Sequence, residues 1–209
     1  MDLNKDVYEI VLGGVGGQGI LTLSNLIGES ALKAGIDISG AETHGMAQRG
    51  GSVIVHLRFG KKALAPLVAD QRAHLLVALE PAEAVRYLNF VKKDGVVITG
   101  LDTITPNKTT LAKKEYPPLE PIVDAIKNHT KKAYCFKFYD LLKEKNIPFR
   151  ALNVAIFGTI AEIWSQDPDF PIKKEDCLNE VKTKWPKVAE INEKAFNLGV
   201  ELIQKELTN

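Results

Sequence analysis

Cysteine is scarce: the 209 residues hold two, Cys135 and Cys177. They lie 42 positions apart (177 − 135), and neither belongs to a C-x-x-C pair. The chain by itself therefore cannot furnish the four thiolates of an iron–sulfur cluster or a structural zinc site. Cys135, set within AYCFKF, reads as a buried core thiol. The four histidines (44, 56, 74 and 129) show neither H-x-x-x-H nor H-E-x-x-H spacing, so no metal site is expected within the chain. No charge of one sign predominates, since 27 Lys and Arg face 26 Asp and Glu; nothing points to nucleic acid or an anionic membrane surface. The most basic run, AKKEYPP at 112–118, is broken by Glu and Pro and reads as a solvated loop. No apolar stretch reaches the roughly 18–20 residues that span a bilayer. The opening MDLNKDVYEIVL is charged and then runs straight into a strand, unlike a secretory leader. These absences lead to the expectation of a soluble, cytoplasmic protein with no membrane or nucleic-acid partner.

What is present is alternation of strand and helix. At 45% hydrophobic, the chain can bury the core of one large α/β domain. YEIVL (8–12) is a strand that ends in GGVGGQG. Apolar residues then recur at Ile20, Leu23, Ile27, Ala31 and Ala34, the spacing of a buried helix face, and Gly35 is placed to cap it. IDISGA reads as a second strand. SVIVHLRF alternates at period 2, with Val53, Val55, Leu57 and Phe59 on one face, and GKK (60–62) is expected to turn it into a hairpin with ALAPLV. HLLVAL (74–79) has the unbroken apolar character of a central parallel strand. A helix is expected from Pro81 to an exit at Gly95, then a strand GVVITG, a long loop over 101–120, a helix PIVDAIKNH, a strand AYCFKF and a helix YDLLKEKN. ALNVAIFGTIAEIW (151–164) is apolar nearly all round, hence either buried or packed on another subunit; it leaves room for a homodimer when the chain is isolated. Helices at about 173–184 and 187–206 finish the chain. With no repeat or long linker, residues 1–209 form a single domain. Its fold is α/β: a three-layer, Rossmann-like arrangement of a mainly parallel sheet flanked by helices, with helices at the C-terminus.

Two connections carry chemistry. Gly14-Val15-Gly16-Gly17-Gln18-Gly19 satisfies G-x-G-x-x-G between a strand and a helix, where free N–H groups and the helix dipole favour an anion. Three readings stay open: a dinucleotide site, a site for another anionic group such as a carboxylate or a coenzyme A phosphate, and a tight strand–helix junction. The dinucleotide reading wants an acid closing the second strand, whereas Asp37 falls at its start and Glu42 within the following loop. The second connection, AETHGMAQRGGS (41–52), gathers His44, Gln48, Arg49, Gly50 and Gly51. Arg49 suits a carboxylate or phosphate as a two-pronged donor, and His44 can exchange a proton near neutrality. The alternatives are subunit docking, or an internal role in which Arg49 pairs with Glu42 or Asp37 and Met46 fills space. Glu80 is either a ligand group or a partner for the next helix N-terminus, and Asn153 a satisfied amide. No Ser, Cys or Lys stands with a base at motif spacing, so covalent catalysis by this chain is not expected.

Together these connections resemble a known family. GVGGQGILTLSNLIGESALKAGIDISGAETHGMAQRGGSVIVHLRFG is similar to the start of the smaller, gamma-type catalytic-domain subunit of 2-oxoacid:ferredoxin oxidoreductases (the pyruvate/ketoisovalerate oxidoreductase gamma-type domain). THGMAQRGGSV resembles the beta subunits of the indolepyruvate group. The resemblance continues through HLLVALEPAEAVRYL, LNVAIFG and NEKAFNLG, and is outline only over 101–150. Where relatives commonly carry Asp, this chain has Ala73-His74. The resemblance implies an enzyme built with a larger alpha subunit that carries thiamine diphosphate, Mg and the iron–sulfur clusters and passes electrons to ferredoxin. Coenzyme A is the co-substrate, and an aryl 2-oxoacid such as indolepyruvate is oxidatively decarboxylated to its acyl-CoA. It also implies that this chain binds no cofactor alone. Its glycine turn (Gly14, Gly16, Gly17, Gln18, Gly19), loop (His44, Gln48, Arg49, Gly50, Gly51) and Glu80 would line the substrate or coenzyme A path or dock the alpha subunit. From the residues alone, the rivals are a self-sufficient NAD(P)- or flavin-dependent Rossmann oxidoreductase and a cofactor-free interaction module.

Overall fold

A computed structural model describes residues 2–44, 50–104 and 116–208, the side chain of His44 excepted. Six strands form one sheet in the order β2-β3-β1-β4-β5-β6. The chain enters at β1 (Tyr8–Val15), crosses through α1 (Ile20–Lys33) to the edge strand β2 (Ile38–His44), and returns antiparallel as β3 (Ser52–Phe59) between β2 and β1. Strands β4 (Ala73–Ala78), β5 (Val91–Gly100) and β6 (Ala133–Phe136) then add in parallel on the other side of β1, with α2 (Pro81–Arg86) and α3 (Leu119–His129) as crossovers. Helices α4 (Phe138–Glu144), α5 (Leu152–Ser165), α6 (Lys174–Lys184) and α7 (Ala189–Thr208) complete the chain.

Strand period sorts the core into two faces. Ile10 and Leu12 of β1, with Val53, Val55, Leu57 and Phe59 of β3, pack against α1, α5, α6 and α7. Val11, Leu76, Ala78 and Val97 point the other way, toward Ala84 of α2 and Ile122 and Ile126 of α3. The result is the expected three-layer α/β arrangement. Helix α1 closes as read from sequence: Gly35 is left-handed (φ 72°), and Ile36 N–H donates to Ala31 O at 3.0 Å with Gly35 N–H on Leu32 O, a Schellman cap. Ala34, expected on the buried face, is exposed at this cap, past the last helical turn.

Four other expectations are corrected. The hairpin at 60–68 does not form: β3 is already paired on both sides, and 63–68 instead lies against β3, with Val68 N–H donating to His56 Nδ1 at 3.3 Å. The helix after Pro81 stops at Arg86; a 3₁₀ turn (Leu88–Phe90) follows, and Gly95 lies inside β5 rather than at a helix exit. There β5 takes five residue steps (Val91 to Val96) where β4 takes two (Ala73 to Leu75). The kink brings Gly95 so near that a Cβ would meet Val91 Cγ1 at 2.7 Å and Ala73 O at 2.9 Å. Glu42 belongs to β2, not to a loop. Cys135 is only half-buried, because β6 is an edge strand, whereas Cys177 is the fully buried thiol.

The apolar 151–164 stretch is buried inside the chain. Helices α5 and α7 cross with backbone nearly touching: a Cβ at Gly158 would fall 2.0 Å from Phe196 O, and one at Gly199 would fall 1.9 Å from Ala155 O. Only glycine permits that approach.

Candidate functional site at the carboxyl edge of the sheet

Strand direction brings the two polar connections together. β1, β2 and β4 all end at the same edge of the sheet, and β3 begins there, because Val15 pairs with Ser52 and Gly14 with Val53. This is the edge where open α/β sheets collect ligands. The glycine turn after β1, Gly50 and Gly51 before β3, and Glu80 after β4 therefore converge. His44 ends β2 at the same edge. Gln48, Arg49 and the side chain of His44 lie outside the described residues.

The glycine turn is occupied by its own glutamine. Gln18 is buried; its Oε1 accepts the Val15 N–H at 2.8 Å and its Nε2 donates to Leu79 O at 3.0 Å. One side chain thus ties the turn to the end of β4, beside the backbone bond from Leu79 N–H to Gly13 O (2.9 Å). Gly14 leaves space for that amide: a Cβ there would stand 2.8 Å from Gln18 Oε1. The turn also holds the second connection, since Gly16 N–H donates to Gly51 O at 2.8 Å and Gly50 N–H to Gly16 O at 3.4 Å. Gly17 is exposed and faces open space. Gly19, left-handed at φ 79°, starts α1 with no side-chain cap. Asn153 of α5 donates from Nδ2 to Gln18 O at 3.0 Å, and a Cβ on Gly19 would meet that Nδ2 at 2.4 Å. Asn153 Oδ1 is buried with no partner, so the amide is only half satisfied.

Glu80 caps α2. Its Oε2 accepts from Ala82 N–H (2.8 Å) and Glu83 N–H (3.2 Å), and Tyr116 donates its hydroxyl to Oε1. Burial, and then the Glu80 carboxylate, push the Tyr116 phenol far above its ordinary range, so it remains a protonated donor. A neighbouring cluster escapes sequence reading. Ser52, the first residue of β3, donates to buried Glu83 and touches the Tyr87 hydroxyl. With the serine proton committed to Glu83, the tyrosine is the donor of the second bond. Tyr87 sets the edge of its ring against Gly13, where a Cβ would fall 2.6 Å from Cδ2. Glu83 and Tyr87 stand four positions apart on α2 and its cap, but nothing in the residue spacing points to Ser52, which meets them only through the fold.

The whole chain, and not merely this edge, has known relatives. Residues 9–202 match the family model described as pyruvate ferredoxin/flavodoxin oxidoreductase. The chain belongs to that family. It is 38% identical over 208 residues to the indolepyruvate oxidoreductase subunit IorB of Pyrococcus horikoshii, an alignment that takes in 97% of this chain and 98% of that one. Among solved structures of the same fold is the gamma subunit of a keto/oxoacid ferredoxin oxidoreductase from Geobacter sulfurreducens (TM-score 0.65, 21% identity, 93% of this chain and 97% of that chain). Another is the 2-oxoglutarate:ferredoxin oxidoreductase from Magnetococcus marinus (TM-score 0.69, 17% identity, 96% of this chain but 32% of that chain). Membership of the family makes the chain a non-autonomous subunit of an oxidoreductase. Among the described residues, no helix is long and apolar enough to cross a membrane.

Proposed function

We propose that this chain is the smaller subunit of an indolepyruvate-type 2-oxoacid:ferredoxin oxidoreductase, completing at its carboxyl edge a site built mainly on a larger subunit. The observation that supports it most is the near-full-length likeness to an indolepyruvate oxidoreductase subunit, together with the bonding of the glycine turn to Gly50 and Gly51 at that edge. In this reading, thiamine diphosphate and the iron–sulfur clusters of the larger subunit supply the decarboxylation and electron-transfer chemistry. No three His, Cys, Asp or Glu side chains among the described residues converge as a metal cage. What this chain supplies is a rigid ledge. Gln18 and the Gly16–Gly51 pairing fix the start of β3, and Arg49, the residue before Gly50 in the sequence, is the proposed donor to a carboxylate or phosphate of the 2-oxoacid or of coenzyme A.

The self-sufficient dinucleotide enzyme fits less well. β3 occupies the place beside β1 where the ribose-binding second strand of a Rossmann site belongs. The Gly16 and Gln18 N–H groups, which would face a pyrophosphate, are already bonded within the chain. Tagging the chain in its own host under anaerobic conditions tests the proposal. Recovery with a larger subunit containing thiamine diphosphate and iron, active on aryl 2-oxoacids, is expected; a lone chain carrying a bound nucleotide would overturn it. In that complex, Arg49→Ala is expected to lower turnover or raise KM by at least about tenfold, the scale of one lost charge-assisted contact. Unchanged kinetics with unchanged assembly would remove Arg49 from the site.

A further inference from the structure

The two edges of the sheet are treated differently. β6 is four residues long and flanked by Lys131, Lys132 and Lys137, the short, lysine-guarded form that discourages pairing. β2 at the other edge is seven residues long, pairs with β3 in unbroken register from Ile38 to His44, and contains no Pro, Lys or bulge. Gly60 N–H donates to Asp37 O at 2.8 Å. The alternation of an antiparallel ladder then turns the N–H and C=O groups of Ser39, Ala41 and Thr43 inward to β3, and those of Ile38, Gly40, Glu42 and His44 outward. Gly40, Glu42 and Thr43 are exposed. On the α1 side the edge borders a groove of about 350 Å³ lined by Asn25, Glu29 and Leu32, and Leu32 is 61% exposed.

This strand is complementary to itself. If two copies lie antiparallel about Ala41, Gly40 faces the partner's Glu42 and Ile38 faces the partner's His44, so every outward backbone group of the strand meets an outward group of the other. Ser39 then faces the partner's Thr43, a favourable hydroxyl pair, while Ala41 meets Ala41 with no bulk between. Each Glu42 opposes a glycine. Centring the pair on Glu42 would instead set carboxylate against carboxylate, and centring it on Gly40 would bring in Asp37 and Ile36, which lie outside the strand. One register therefore satisfies the edge fully.

We propose that β2 is a self-association edge, joining two copies of this chain antiparallel about Ala41 and continuing the sheet across a two-fold axis. The proposal is independent of the catalytic reading above. The full-length chain is expected to show twice its 23.0 kDa mass by light scattering. In a Cys135→Ser background, Ala41→Cys is expected to form a disulfide dimer on mild oxidation. Residues facing each other in a non-hydrogen-bonded antiparallel pair stand about 4.5 Å apart, within the span of a disulfide. Thr43→Cys alone should not cross-link, whereas Ser39→Cys combined with Thr43→Cys should. Gly40→Pro removes an outward donor and no β3 hydrogen bond, although its Cβ would crowd Leu57 Cδ2 at 3.1 Å and His56 O at 3.2 Å, and should return the mass to one copy; its melting is followed by circular dichroism, and if it fails to fold the cross-linking pattern decides. A monomeric chain, a dimer that Ala41→Cys does not cross-link, or equal cross-linking by Thr43→Cys alone overturns the proposal. So does hydrogen exchange in which the Gly40 and Glu42 amides slow only when a larger subunit binds, which would assign the edge to an extended segment of that subunit.

Discussion

Gln18 sits where a motif search sees only an unspecified position between glycines, yet its amide holds the candidate site together. It accepts from Val15, donates to Leu79 and is buried. Removing it in Gln18→Ala leaves a donor and an acceptor unpaired, a loss of roughly 2–6 kcal/mol at about 1–3 kcal/mol per buried group. Urea unfolding of the full chain measures this. Gln18→Glu is expected to be no better, since it keeps the acceptor but turns a second oxygen on Leu79 O; a silent Gln18→Ala would mean that the turn is held by backbone alone. Glycines and their spacing were legible because backbone freedom is a property of single residues. The role of Gln18 was not, because its second partner lies 61 positions away. Asn153 was legible by incongruity, a lone amide in an apolar helix, but its target, the Gln18 carbonyl, was not.

Elements were read well where one physical signal governs them and poorly where two compete. Helix α1 shows clean periodicity and a glycine cap, and its buried face was read correctly through Ala31. Over 81–95 the helical signal of PAEAVRYL runs into β-branched and glycine residues; pairing of β5 with β4 wins, and the helix is cut at Arg86. The SVIVHLRF strand was plain from alternation, but alternation does not name the neighbour. A hairpin with the following residues was the local choice, and the structure pairs β3 with strands on both sides instead. Helix α5 was read as either buried or packed on another subunit, while what buries it, α7, came only from the tertiary contact. That contact is steep in its demands. A methyl at Gly158 runs into backbone rather than a yielding side chain, so Gly158→Ala is expected to cost at least about 2 kcal/mol, toward the upper part of the overpacking range. Thermal unfolding of that variant checks it, and Gly28→Ala, whose added methyl makes only an ordinary 3.6 Å contact with Ile38, serves as the control.

At the scale of the molecule, acid should loosen the fold through half-buried His74 and buried His56. His74 stacks on Tyr8 and accepts the Glu9 N–H at 3.1 Å; burial, helped by Lys92 and Arg72, depresses its pKa to about 4. His56 is shifted the same way by burial. A base with a depressed folded pKa binds its proton more readily when unfolded. Its contribution is therefore complete above the unfolded value near 6.5 and is lost as pH falls from there toward about 4. The melting temperature is expected to drop across that window, and less so in His74→Gln; an equal slope in both would locate the acid sensitivity elsewhere. What the sequence by itself determined is what neighbouring residues settle among themselves: which segments are helix or strand, where glycine frees the backbone, and, through long runs of matching residues, the family. What only the tertiary structure decided is which segments meet: the antiparallel β3 between β1 and β2, the glutamine that fills the glycine turn, the serine–glutamate–tyrosine cluster beside it, and the open β2 edge. Contacts of that kind depend on packing between residues far apart in the chain, and no local pattern encodes a partner that the fold has yet to bring near.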